Sequence, residues 1–207
     1  MAAVLSAGPA WPDSGSEQWW TEFAHKFPGG RRAIVAVTST ARVAEGFEVN
    51  TWNLEVDYLL KAGSRSLWGP GFKFQEARQP GGEFEKEDRY LLTGEARLGP
   101  APWKWKPDLR GIYEYRKRET RADSWRFRLR PGVKRAIGSS GWIFVGQDEV
   151  FYDSAEDRID QNRLRVGGEH HLRGSPKATV LVYFLLRSDR AGDSWVKTDV
   201  LGSSWTF

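Results

Sequence analysis

The stretch Trp125-Arg-Phe-Arg-Leu-Arg130 constrains the fold more than any other, because arginines alternate there with apolar residues. A period of two puts Trp125, Phe127 and Leu129 on one face of an extended strand and Arg126, Arg128 and Arg130 on the other. A helix would scatter both sets around its axis. The same segregation recurs along the chain. Leu54, Val56 and Tyr58 oppose Asn53, Glu55 and Asp57. Tyr90, Leu92, Ala96 and Leu98 oppose Arg89, Glu95 and Arg97. Tyr113 and Tyr115 oppose Glu114, Arg116 and Arg118, and Leu164 and Val166 oppose Gln161, Arg163 and Arg165. No segment carries a convincing helical period.

Between these runs lie Gly/Pro/Ser/Asp turns at the spacing of a meander. The pattern predicts strands at Trp19–Phe27, Arg31–Val43, Asn50–Leu60, Leu67–Arg78, Glu83–Leu98 and Lys106–Arg118. It continues with Ser124–Ala136, Trp142–Tyr152, Arg158–Leu172, Lys177–Ser188 and Ser194–Phe207. The expected fold is all-β, an antiparallel up-and-down transmembrane β-barrel. Eleven strands are counted, but single-chain bacterial barrels carry even numbers, so 10 or 12 are expected. Pro131 removes a ladder hydrogen bond within the seventh strand and should mark a bulge or that strand's end.

A soluble sandwich also alternates. Here, however, the charges are of both signs and recur on consecutive strands, as in Arg–Glu ladders lining a lumen while the aromatic face meets lipid. Eleven Trp, six Tyr and eleven Phe suit aromatic girdles. No apolar run approaches the roughly 18–20 residues of a spanning helix. The runner-up is a soluble periplasmic β-barrel or sandwich. A net charge of +4 raises nucleic acid as a partner, yet Glu and Asp interleave with the basic residues, so no nucleic acid is expected. The chain has no Cys, so thiol chemistry and a disulfide framework are excluded. Residues 1–18 read as a signal-peptide remnant or a disordered N-terminus, and 19–207 as one barrel domain. The tenth strand, Ala178-Thr-Val-Leu-Val-Tyr-Phe-Leu-Leu186, is apolar on both faces. One face could meet lipid and the other a packed lumen.

The motifs Gln18-Trp-Trp-Thr-Glu22, Ile112-Tyr-Glu-Tyr-Arg116, Trp125-Arg-Phe-Arg-Leu-Arg130, Asp148-Glu-Val-Phe-Tyr152 and Asp160-Gln-Asn-Arg-Leu-Arg-Val-Gly167 occur in that order before a last strand ending in Phe207. Together they resemble the outer-membrane proteins grouped as domain of unknown function 2490. The resemblance implies a barrel in the outer membrane of a Gram-negative bacterium, and it implies no activity. It also implies the bilayer as partner and a transient encounter with the barrel-assembly machinery. Trp205 and Phe207 are the candidate assembly signal.

The candidate lumen-facing charges are Arg89, Glu95, Arg97, Glu114, Arg116, Arg118, Arg126, Arg128, Arg130, Glu149, Arg163 and Arg165. They read either as a constriction preferring anions or as salt-bridged struts filling a narrow lumen, the struts being favoured. Glu149 and Arg163 share the inward parity and are expected to pair across the ladder. His170 and His171 point to opposite faces and cannot share a metal without a bulge. His171 with Ser175 invites comparison with barrel esterases, but Ser175 sits in a Gly-Ser-Pro turn and no third member is identifiable. The chain is therefore not read as an enzyme, and no cofactor or metal is expected. The functional expectation is a narrow anion-preferring channel or small-ligand-binding barrel, the alternative a structural envelope protein with a plugged lumen.

Overall fold

The computed structural model describes residues 18–44, 48–79, 82–99, 104–172 and 178–207. Residues 1–17, which the N-terminal expectation covers, lie outside them. Eleven strands follow one another: β1 (Gln18–Pro28), β2 (Ala33–Val43), β3 (Val49–Ala62), β4 (Ser66–Arg78), β5 (Phe84–Arg97), β6 (Lys106–Arg118), β7 (Ser124–Ala136), β8 (Trp142–Asp153), β9 (Arg158–His171), β10 (Thr179–Ala191) and β11 (Ser194–Thr206). Each pairs antiparallel with its sequence neighbour, and β11 returns to β1 to close the barrel.

The expectation of 10 or 12 strands is corrected, because the closed barrel has eleven. The reason lies in the seam. In a meander with an odd number of strands the first and last run in the same direction, so β1 and β11 pair parallel, with Trp20 beside Gly202 and Glu22 beside Ser204. Phe207 extends the seam: its N–H donates to Ala24 O at 2.9 Å, and its carbonyl accepts from Lys26 N at 3.1 Å. Trp205 lies opposite Phe23, and the Phe207 ring stacks on His25 at 6.4 Å.

The expectation at Pro131 is corrected too. Strand β7 neither ends nor bulges there. Leu129 pairs with Val150 and Gly132 with Gln147, so the register is the same on both sides of the gap. Pro131 sits on the exposed face, and the strand forgoes pairing with β8 only at that step.

Alternation divides the residues between two walls. Outward lie Trp19, Leu54, Val56, Tyr58, Phe72, Tyr90, Leu92, Tyr113, Phe127, Leu129, Leu164, Val166, Val182, Phe184 and Leu201, all exposed. Outward aromatics stand mid-strand, as Phe72, Tyr90, Tyr113 and Phe184 do, and also near both strand ends. Trp19, Trp52, Phe84, Trp125, Tyr152 and Trp195 stand at one end of the barrel, and Phe27, Trp68, Trp142 and Trp205 at the other. Inward lie Asn53, Glu55, Asp57, Lys73, Gln75, Glu87, Arg89, Glu114, Arg116, Glu149, Asp153 and Arg187, all buried. The molecule thus inverts the usual arrangement of an apolar inside and a polar outside.

One sector of the lumen is apolar. Trp20, Val145, Leu181, Tyr183, Leu185 and Val200 form a buried cluster beside the seam. This is where the inward face of the doubly apolar tenth strand goes. The Tyr183 ring lies over Gly202 of β11, where a Cβ would sit 2.3 Å from it, and at Gly167 of β9 a Cβ would sit 2.4 Å from the Val182 carbonyl oxygen and 2.8 Å from the Tyr183 Cβ. Only glycine fits under the ring at Gly202 and against the β10 backbone at Gly167.

Candidate functional site

The polar sector of the lumen is an ion-pair lattice contributed by β5 to β9. Period-two alternation delivers these side chains, and the cross-strand register sets which ones meet. Arg128 of β7 donates to Glu114 of β6 at 2.6 Å and to Glu149 of β8 at 2.7 Å. Beyond Glu149 stands Arg163 of β9, 3.8 Å from the free oxygen. Beyond Glu114 stands Arg89 of β5 at 3.6 Å, and Arg89 donates to Glu87 at 2.9 Å. Arg116 grips Glu87 through two nitrogens, at 2.5 and 3.1 Å, and reaches Asp153 at 2.8 Å. Asp153 also accepts from Arg118 at 3.5 Å and Arg126 at 3.2 Å, and Arg126 holds Asp160 at 2.5 Å. A continuous chain of alternating charge therefore runs from Arg163 to Asp160. Glu114, near its middle, has no solvent exposure at all.

A second, smaller cluster is contributed by β3 to β6, adjoining the first. Arg110 stands 3.4 Å from Glu55, 3.7 Å from Asp57 and 3.4 Å from Glu95, and Lys73 donates to Glu55 at 3.3 Å. Buried aromatic rings carry part of the cationic charge. Phe151 lies under Arg163 at 4.5 Å, Arg128 at 5.0 Å and Arg126 at 5.6 Å, and Trp20 under Arg42 at 4.2 Å. Arg165 stacks on Tyr183 at 4.3 Å. A ring face attracts a guanidinium most when both are shielded from water.

Of the residues singled out from sequence, Arg89, Glu114, Arg116, Arg118, Arg126, Arg128, Glu149 and Arg163 meet in the main lattice. Glu95 belongs to the second cluster. Arg130 and Arg165 face a recess beside Glu149. Arg97 is exposed at the end of β5 and takes no part in either cluster. Sequence reasoning left out Glu87, Asp153, Arg110, Lys73, Arg42 and the aromatic anchor Trp20. The signal for most of them was parity: Glu87 lies two residues before Arg89, and Asp153 four after Glu149.

Ser175 falls outside the described residues, so its relation to His171 is not described. His171 is exposed at the end of β9, while His170 bonds Gly141 O at 3.1 Å and tilts against Trp142. Among the described residues no group of three or more His, Asp or Glu is placed to hold a metal ion. The lattice holds side chains of opposite charge together across five strands. Arg128 and Arg126 engage one oxygen each of Glu114 and Asp160, whose second oxygens, like Asp57 Oδ1, are buried without a hydrogen bond.

Comparison with known proteins agrees with this architecture at the level of family. The family described as protein of unknown function (DUF2490) matches residues 17–196, and the chain belongs to it. No curated protein and no solved structure matches the chain.

Proposed function

We propose that this protein spans the outer membrane of a Gram-negative bacterium as a barrel whose lumen is closed by its own ion pairs, and that it serves the envelope as a structural element rather than an open pore. The observation that carries the reading is the inversion of the two walls. A largely apolar outer wall surrounds an interior whose larger sector is charged, with aromatics near both ends. In water such an outer wall would be a contiguous apolar patch far beyond what a soluble monomer exposes. In a bilayer it is the required surface, flanked by girdles, and barrel closure satisfies the backbone where lipid cannot.

The closed lumen follows from burial. A conducting path needs charged groups that face water, yet Glu114, Asp153, Glu149 and Arg116 are buried among one another. Opening a path would require separating Arg128 from both of its carboxylates.

Two measurements test the two halves of the proposal. Recovery of the chain in the aqueous fraction without detergent would overturn the membrane assignment. Purified, folded barrel in planar bilayers is expected to give no steady conductance. An anion-biased conductance lost on neutralising Arg126, Arg128 and Arg163 would instead make it a narrow anion channel.

A further inference from the structure

Cations outnumber carboxylates at one place in the lumen. Arg130 of β7, Gln147 and Glu149 of β8, Arg163 and Arg165 of β9 and Leu185 of β10 line a recess with room for about one water molecule. Register explains the crowding. Arg165 stands directly opposite Gln147, and Arg163 opposite Glu149. Among the described residues Glu149 is the only carboxylate lining the recess, and its Oε1 already accepts from Arg128 at 2.7 and 3.0 Å. Arg163 reaches the other oxygen only at 3.8 Å. The Nε atoms of Arg130 and Arg163 and the Oε1 of Gln147 are shielded from solvent with no hydrogen-bond partner. Arg165 leans on Tyr183 and forms no ion pair within 4.0 Å among the described residues.

Three guanidiniums that cannot lose their charge thus surround one carboxylate that is largely used. Buried charge is costly unless compensated. We infer that the recess is an anion-binding site for a single monovalent anion of chloride size, held by N–H groups of Arg130, Arg163 and Arg165. The amide of Gln147, turned so that its nitrogen faces the recess, would add a fourth donor. The size follows from the space: one water-sized volume admits a halide, whereas a tetrahedral oxyanion would need the arginines to part. The site rests on the reading of the lumen as a closed polar core. Within that reading the anion completes the lattice where the chain supplies too few carboxylates.

The test compares sodium chloride with sodium gluconate at equal ionic strength, using the detergent-solubilised barrel in phospholipid-free buffer. Chloride is expected to raise the unfolding midpoint saturably, and gluconate is not, since both screen charge alike but only one fits. Chloride-35 magnetic resonance on the unmodified protein should show line broadening that free chloride competes away. Arg130→Gln and Arg165→Gln should each weaken the apparent affinity at least about tenfold, the loss of one charge-assisted contact. In gluconate, Arg130→Gln should also raise the midpoint above that of the unmodified chain, because it removes uncompensated repulsion; a mere strut would lower it. Arg158→Gln on the rim should change neither readout. Equal stabilisation by both salts, absence of broadening, or phosphate acting where chloride does not would each overturn the site. None of these outcomes bears on bilayer conductance, so the two proposals fail separately.

Discussion

Arg128 and Glu114 lie on adjacent strands and meet at 2.6 Å, and the carboxylate of the pair has no exposure to solvent. The same guanidinium also holds Glu149, so one side chain compensates two buried carboxylates.

Replacing Arg128 with Gln is therefore expected to destabilise the barrel by about 3–5 kcal/mol, the cost of leaving buried charge unpaired. Replacing Arg158, whose partner Glu156 is exposed, should cost only about 0–1 kcal/mol. Denaturant unfolding in detergent, followed by heat-modifiable gel mobility, measures both. Comparable losses in the two variants would mean that the lattice is wet.

Glu149 has two cationic neighbours at different ranges, and double-mutant cycles should rank them. The hydrogen-bonded Arg128–Glu149 pair should show a coupling of about 1.5–3 kcal/mol. The longer Glu149–Arg163 contact, at 3.8 Å without a hydrogen bond, should couple by about 1 kcal/mol or less. A reversed order would show that the register pairing, not the lattice, dominates.

Beneath Tyr183, Gly202→Ala places a methyl group 2.3 Å from the ring. The ring must then shift within a packed cluster, at an expected cost of about 1–3 kcal/mol. With Tyr183→Leu already present the same change should cost almost nothing. Additive losses would mean that Gly202 is needed for its backbone and not for the close approach.

The outer wall can be probed by charge. Leu92, exposed near the middle of β5, becomes an arginine facing hydrocarbon if the barrel spans a bilayer, at about 2–4 kcal/mol when assayed in lipid. Asp193→Arg, in the β10–β11 turn, should stay within about 0.5 kcal/mol. A harmless Leu92→Arg would return the outer wall to water and sink the membrane proposal.

Alternation by itself determined most of this protein. Because successive side chains on a strand must point to opposite faces, Trp125-Arg-Phe-Arg-Leu-Arg130 could segregate its arginines from its apolar residues in only one way. The turns between such runs gave the strand boundaries to within a few residues, and Glu149 and Arg163 could be assigned one face from parity alone. What parity cannot carry is distance around the barrel. Eleven strands close with a parallel seam because β1 and β11 attract each other as a pair of edges, a fact about the finished sheet and not about either segment. Arg128 reaches Glu114 and Glu149 because strand stagger brings three strands' side chains to one height. Glu149 is left with little for Arg163, and Arg130 with no carboxylate, for the same reason. Tyr183 looked like one more apolar residue in a doubly apolar strand until the registers of β9 and β11 set Gly167 and Gly202 on either side of it. Local sequence fixes which face a side chain takes, because that is a property of two consecutive peptide bonds. Its partners across the lumen depend on registers accumulated over every intervening strand, and only the closed structure sums them.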